Sequence, residues 1–157
     1  MSEVREPLAV RLRRLLRAPG LVAALGAASP TPITSDSLTM AGARVQDHLA
    51  NPALAAKLAE GFDVVVIQGQ SVEPITDYPA FETAVVELAG QIGEARYLLF
   101  QTWPRQEGSP DLIELGMTVE EMAQGLESGY FEAALASGGE LAPVGGAWMS
   151  ALQLEPP

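Results

Sequence analysis

The sequence predicts an α/β fold built around a parallel sheet, in a single domain spanning residues 1–157. Two short apolar runs, residues 63–68 and 96–103, are rich in branched and aromatic side chains, as buried strands are. Helical patterns of ten or more residues separate the runs, and strands that alternate with such helices form crossover units with parallel strands. A chain of 157 residues, 48% apolar and 18% charged, suffices for one domain with a hydrophobic core.

The amino-terminal half predicts, in order, a helix over residues 7–18, a short polar strand over 33–40, a turn at 41–43 and a helix over 52–60. The first helix carries its leucines on one face and most of its arginines off it. Asn51 followed by Pro52 is typical of a helix start, because asparagine caps free N–H groups and proline fits the first turn. The strand over 63–68 follows, and its four consecutive β-branched residues predict burial on both faces.

The carboxyl-terminal half continues the alternation. A helix over 79–93 precedes the strand over 96–103, and a polar loop over 104–110 leads to a helix over 118–137. Thr118 and Glu121 form the pattern of a capping box at the start of that helix. A short strand over 140–144 and the beginning of a helix at 148–152 complete the prediction.

Charge and composition exclude several classes of function. The formal net charge is −11, with a local balance of +3 in residues 1–20 and −14 in the remainder. A body this acidic repels phosphate backbones, so we expect no nucleic-acid partner. The lack of cysteine excludes disulfides, thiolate metal sites and a cysteine nucleophile. No phosphate-binding glycine pattern is present, and we expect neither a metal nor another cofactor.

The first residues bear on localisation. Arginines up to Arg17, followed by the apolar stretch 21–28, have some likeness to a signal peptide, but Pro19 and Gly20 interrupt the pattern. An amphipathic helix explains it better, and no apolar run approaches the length of a membrane span. We therefore expect no membrane span and a cytoplasmic protein, or a secreted one if the true start lies upstream of Met1.

The strand ends carry the candidate chemistry. Gln68 and Gln70 follow the first buried strand, where ligands bind in parallel α/β sheets, and a carboxamide there can donate to a developing oxyanion. Ser71 is expected to close the turn, because a glutamate stands where a nucleophile elbow needs its second glycine. Thr102 and Trp103 follow the second strand, and Trp103 either lines a pocket or covers the sheet.

The one histidine, His48, follows Asp47 directly. Neighbouring residues on a helix or turn point in different directions, so the two do not pair as base and orienting group. A lone histidine without cysteine is also a poor metal site. We interpret His48 as a partly buried structural residue near a turn. The acidic residues after the second strand are interpreted as a solvated surface; they are Glu107, Asp111 and Glu114.

Four segments, in this order, resemble the GDSL-type (SGNH) hydrolase superfamily. They are residues 39–49 (TMAGARVQDHL), 61–71 (GFDVVVIQGQS), 101–103 (QTW) and 141–148 (LAPVGGAW). The second segment is similar to the Leu-Gln-x-Gln-Ser block of one bacterial branch and to the Gln-Gly-Glu-Ser turn of carbohydrate acetylesterases. The resemblance covers about residues 39–148. It implies a three-layer, flavodoxin-like α/β/α sandwich that hydrolyses short-chain acyl or acetyl esters, including those of carbohydrates.

By position, the resemblance implies an oxyanion hole formed by Gly42 and Gln68, with Gln70 as the rival of Gln68. The residues that it implies around the pocket are Ser71, Thr102 and Trp103. The family's Gly-Asp-Ser or Gly-Asn-Ser nucleophile turn and its Asp-x-x-His block have no counterpart in the sequence. No catalytic residue is therefore assigned, and we expect the chain to be inactive alone.

Three interpretations remain open. The family's first strand lies between the second and third strands, so its absence would leave unpaired backbone groups. We therefore expect the middle of an ester hydrolase, truncated at both ends. The second interpretation is a non-catalytic relative that binds an ester, acyl or sugar ligand. The third is an interaction protein that closes its open edge as a homodimer.

Overall fold

The computed structural model describes residues 33–154. Its contacts divide the chain into two compact units, of which Leu38–Ala151 is the larger. Of the smaller unit, residues 33–37 and 152–154 are described, and residues 33–37 have no regular secondary structure. The helix predicted over residues 7–18 lies outside the described residues.

The larger unit alternates helices with three strands. In chain order, the elements are α1 (Val45–Leu49), α2 (Ala53–Leu58), β1 (Val64–Ile67), α3 (Glu73–Thr76), α4 (Tyr78–Ile92), β2 (Arg96–Phe100), α5 (Pro110–Leu115), α6 (Val119–Ser137), β3 (Glu140–Ala142) and α7 (Val144–Leu152). The strands form one parallel sheet in the order β1-β2-β3. The α/β class with a parallel sheet, predicted from the alternation of elements, is therefore confirmed.

The hydrophobic core lies between one face of the sheet and the long helices α4 and α6. Ile67 and Leu99 pair in register and are both buried in it. The aromatic rings of Phe81 in α4 and Tyr130 in α6 meet edge to face, with centroids 5.2 Å apart. The short helices complete this layer, because α1 and α2 pack on α4 while α3 contacts both α4 and α6.

The predicted capping box of α6 is confirmed. The Thr118 hydroxyl accepts a hydrogen bond from the Glu121 N–H at 3.1 Å, and the Glu121 carboxylate accepts one from the Thr118 N–H at 2.8 Å. The apolar residues that α6 buries include Met122, Leu126 and Tyr130. Among residues 33–154, no helix combines the length and apolar character needed to cross a bilayer.

Among the described residues, other elements cover only one face of β1, which corrects the prediction that both of its faces are buried. Val64 is 41% exposed and Val66 is 58% exposed. Their register partners, Arg96 and Leu98, lie on the same sheet face, and none of these four residues belongs to the core. Four β-branched residues in a row indicate a strand, but they carry no information about which faces other elements cover.

The strand predicted over residues 33–40 is wrong, because this stretch has no regular secondary structure. Only Leu38 of this stretch packs against the core. The other residues of the stretch are exposed, so it has no apolar face that a strand could bury. The helices α1, α3 and α5 were not predicted from the sequence. Helices of four to six residues are too short for periodicity to reveal them, and their end contacts fix them instead. For α5, that contact is the Ser109 hydroxyl, which accepts from the Leu112 N–H at 3.3 Å.

We expect Gly129→Ala to destabilise the protein. A Cβ atom at Gly129, inside α6, would lie 2.6 Å from the Pro74 carbonyl oxygen, so α3 would have to move. Urea denaturation should show a free energy of unfolding lowered by about 1–3 kcal/mol. Gly90→Ala in α4 is the matched control, since a Cβ there meets nothing within 4 Å. Better helix propensity should make that variant about 0.5–1 kcal/mol more stable. Equal losses in both variants would contradict the close contact of α6 with α3.

Candidate functional site

The candidate site lies at the carboxyl edge of the sheet. Because β1 and β2 run parallel, the turn at residues 68–71 and the segment at 101–103 leave the sheet at the same edge. This is the edge at which parallel α/β sheets bind ligands. The candidate residues that were predicted in these two segments therefore lie at the same edge of the sheet.

The turn after β1 is held in place by two aromatic residues of the core, Tyr130 and Phe81. The buried Gly69 N–H donates a hydrogen bond to the Tyr130 hydroxyl at 3.1 Å. A Cβ atom at Gly69 would lie 2.7 Å from Cε2 of Phe81, so only glycine fits here. Burial raises the pKa of Tyr130 to about 12, while the Thr102 hydroxyl and the Gly69 N–H beside it oppose the rise without cancelling it. The phenol therefore stays neutral as the acceptor for this turn.

Gln70 is used to fold the turn. Its side-chain Oε1 accepts from the N–H groups of Val72 at 2.9 Å and Glu73 at 3.2 Å. Its own N–H donates to Oε2 of Glu73 at 3.1 Å. The Gln70 N–H and Oε1 are therefore used within the turn, while Nε2, the only atom of this side chain that can donate to an oxyanion, has no partner among the described residues.

Gln68 and Gly42 keep their donors free. The Gln68 side chain is exposed, and neither it nor the Gly42 N–H forms a hydrogen bond with another described residue. Gly42 lies in the predicted turn with φ +72°, a conformation that glycine adopts without strain, and a Cβ atom there would meet nothing within 4 Å. Two N–H donors are therefore available near the start of α1 and the end of β1.

A buried carboxylate connects these two segments. Glu73, at the start of α3, is 1% exposed. Its Oε2 accepts from the Gln70 N–H at 3.1 Å and from the Val45 N–H at 3.4 Å, while its Oε1 has no partner among the described residues. Burial raises the pKa of Glu73; the two N–H groups and the charge of Arg44 oppose this rise. The start of α1 is thereby tied to the turn that follows β1.

The segment after β2 is tightly enclosed. Gln101 and Thr102 are buried, and Oε1 of Gln101 has no hydrogen-bond partner among the described residues. A Cβ atom at Gly145 in α7 would lie 2.3 Å from the Thr102 carbonyl oxygen, which explains the glycine. Trp103 stacks on Trp148 of α7 with ring centroids 5.3 Å apart.

A groove of about 190 Å³ opens beside Gln101, between α6 and α7. Pro104 and Met149 give it an apolar side. Its polar lining comes from the carboxylates of Glu120 and Glu127 and the carboxamide of Gln124. Most of the accessible lining is apolar, and its carboxylates accept hydrogen bonds and repel anions, so the groove suits a neutral ligand that combines apolar surface with hydroxyl groups.

The remaining candidates have local roles. Asp47 accepts from the Arg44 N–H at 2.8 Å at the start of α1, rather than orienting His48, which is partly buried in the same helix. Ser71 is partly buried in the turn after β1. Across residues 33–154, no three His, Asp or Glu side chains lie close enough together to hold a metal ion.

The roles of Glu73 and Tyr130 were not predicted from the sequence. Glu73 served only to exclude a nucleophile elbow, and Tyr130 belonged to the helix predicted over residues 118–137. A carboxylate three residues after Gln70 is a local signal for capping a turn. Nothing local marks Tyr130, whose partner Gly69 is 61 residues away.

Stability should depend on the ionisation of Glu73. Because the folded-state pKa lies above the ordinary value of 4.5, the folded protein binds this proton more tightly than the unfolded chain. The stability that Glu73 contributes is thus fully present below 4.5 and is lost as the pH rises through the folded-state pKa. Thermal unfolding from pH 4 upward should show this decline in the wild type, and Glu73→Gln should remove it. An identical pH profile in Glu73→Gln and the wild type would contradict the raised pKa.

Comparisons with known proteins point to one fold. No family model matches the chain, and no curated protein matches it. A solved structure from Slackia heliotrinireducens, described as a candidate SGNH hydrolase, is similar, with a TM-score of 0.64 and 30% sequence identity. The match covers 69% of this chain and 64% of that protein, so the chain spans a little under two thirds of its length. The chain therefore has the α/β fold of SGNH hydrolases.

Proposed function

We propose that this chain, which has the fold of SGNH hydrolases, supplies the oxyanion-binding side of an ester-hydrolase site. The donors are the Gly42 N–H and the Gln68 carboxamide. One observation carries the proposal: both donors lack partners among the described residues, while Glu73 connects the segments that bear them. N–H donors that face a reacting carbonyl oxygen stabilise the negative charge that develops on it during acyl transfer.

The chemistry of the site supports a neutral substrate. Carboxylates line part of the groove beside Gln101, so this groove fits a neutral alcohol portion of the substrate better than an anionic one. We therefore propose a short-chain acyl or acetyl ester whose alcohol is polyhydroxylated, such as a sugar. Ser71, Thr102 and Trp103 follow the two strands on that side and are the pocket residues of the proposal.

No residue of this chain is proposed as the nucleophile or the base. The one histidine stands in α1, and the sequence contains no Asp-x-x-His block. The proposal therefore assigns charge stabilisation to this chain and the attacking group to residues that it does not contain. We expect binding of the product anion without turnover of the ester.

Gln68→Ala should weaken anion binding. Acetate, the product of acetyl-ester hydrolysis, should shift the Gly42 amide resonance saturably in an NMR titration of the wild type. Loss of one donor should raise the acetate dissociation constant roughly tenfold. Gln91→Ala is the matched control, because it removes an exposed carboxamide from α4, far along the chain from the turn. Equal acetate affinity in the wild type and Gln68→Ala would contradict the oxyanion role.

The same protein sample tests for a hidden nucleophile. We expect p-nitrophenyl acetate to hydrolyse no faster than in buffer, and a fluorophosphonate to leave every serine unlabelled. Labelling of Ser71 would contradict the assignment of the nucleophile to residues outside this chain. In the acetate titration described above, sodium chloride at equal ionic strength is the control for unspecific anion effects on the Gly42 resonance.

A second candidate function is self-association, which is favoured by the sheet face that no element within residues 33–154 covers. Val64, Val66 and Leu98 lie on that face beside Arg96 and Glu140, whose side chains pair with each other at 2.9 Å. In a two-fold dimer the same patch meets itself, so these opposite charges could exchange partners across the interface. An apolar centre with complementary charges fits a second copy of this chain.

Val66→Lys tests the second candidate. If copies associate through this face, the thermal midpoint of the wild type should rise with concentration over a roughly hundredfold range, and Val66→Lys should abolish that dependence. Ile113→Lys is the matched control, because Ile113 is 72% exposed on α5, away from the sheet. A monomeric wild type in sedimentation equilibrium at all concentrations would exclude the dimer.

A further inference from the structure

One side chain holds both halves of the proposed oxyanion site. Oε2 of Glu73 bridges the Val45 N–H, three residues after Gly42, and the Gln70 N–H, two residues after Gln68. Because α1 begins at Val45, this contact fixes the first turn of the helix that follows Gly42. We infer that Glu73 is a positioning residue, which sets the spacing of the Gly42 and Gln68 donors; the inference rests on the proposed function.

The arrangement is costly for a purely structural role. A carboxylate that is 1% exposed gives up its hydration, and Oε1 recovers no hydrogen bond from the described residues. The charge that opposes the burial is Arg44, and that guanidinium is itself 2.9 Å from Asp77. An apolar side chain would fill the same volume more cheaply, but it would leave the Val45 and Gln70 N–H groups without an acceptor. The carboxylate also fixes the position of the segment at Val45 relative to the turn at Gln70.

Few other described contacts fix these loops so directly. The turn that carries Gly42 is closed by one backbone bond, from the Ala43 N–H to the Met40 carbonyl oxygen at 3.3 Å. The turn that carries Gln68 is anchored at Gly69 by Tyr130 and at Gln70 by Glu73. Oxyanion donors act only within a few tenths of an ångström of the required position. Loss of the bridge should therefore reduce anion binding while the core stays folded.

The test compares Glu73→Leu with Glu73→Gln. Acetate titrations followed at the Gly42 backbone amide and the Gln68 side-chain amide measure the affinity of each variant. Glu73→Leu removes the acceptor and should weaken acetate roughly tenfold. Glu73→Gln loses the charge but keeps an oxygen that can accept from both N–H groups, so it should stay within about twofold of the wild type. Glu87→Gln, on the exposed side of α4, controls for net charge.

A double variant separates positioning from a general effect on the fold. If Glu73 acts through Gln68, adding Gln68→Ala to Glu73→Leu should weaken acetate little further. Wild-type affinity in Glu73→Leu would overturn the inference and leave the proposed function intact, as would equal weakening by Glu73→Leu and Glu73→Gln. No acetate response in the wild type would refute the proposed function and, with it, the inference.

A shorter acid covers the case in which Glu73→Leu does not fold. Glu73→Asp keeps the charge, but its carboxylate is one methylene too short to reach both the Val45 and the Gln70 N–H. It should weaken acetate as Glu73→Leu would, and unchanged affinity in this variant would overturn the inference.

Discussion

The hydrogen bond from the Gly69 N–H to the Tyr130 hydroxyl fixes the part of the molecule on which the site depends. It joins the end of β1 to the middle of α6, and the contact of Gly69 with the Phe81 ring adds α4. A backbone N–H buried at that depth would cost about 1–3 kcal/mol without an acceptor. The turn at 68–71 therefore rests on the core rather than on solvent, and Gln68 leaves the sheet in a defined place.

Glu73 connects the turn after β1, which is anchored on the core, to the start of α1. Its carboxylate reaches the turn after β1 and the first turn of α1, two segments whose contacting N–H groups are 25 residues apart and that no strand pairing joins. The price is a carboxyl group whose pKa is raised by burial and whose second oxygen has no partner among the described residues. Such an exception to the rule that buried polar groups are satisfied is more common at functional sites than in the remainder of a core.

The secondary structure was largely predictable where periodicity extends over many residues. The strands β1 and β2 and the helices α4 and α6 each carry a hydrophobic pattern, and the capping box of α6 is local in sequence. The short helices α1, α3 and α5 were not predictable, because contacts at their ends fix them and not a repeating pattern. Two predictions were wrong for the same reason: the strand over 33–40 and the burial of both faces of β1. Local composition does not show which other elements pack against a segment.

The sequence by itself determined the α/β class, the position of the carboxamides after the first buried strand, and the acidity that disfavours phosphate ligands. These follow from local composition and from the alternation of elements along the chain. The tertiary structure decided how the two carboxamides are held, because Oε1 of Gln70 accepts hydrogen bonds within its own turn while the Gln68 side chain is exposed. It also decided the parts played by Glu73 and Tyr130. Their partners lie 28 and 61 residues away, and only folding brings such distant groups within hydrogen-bonding distance.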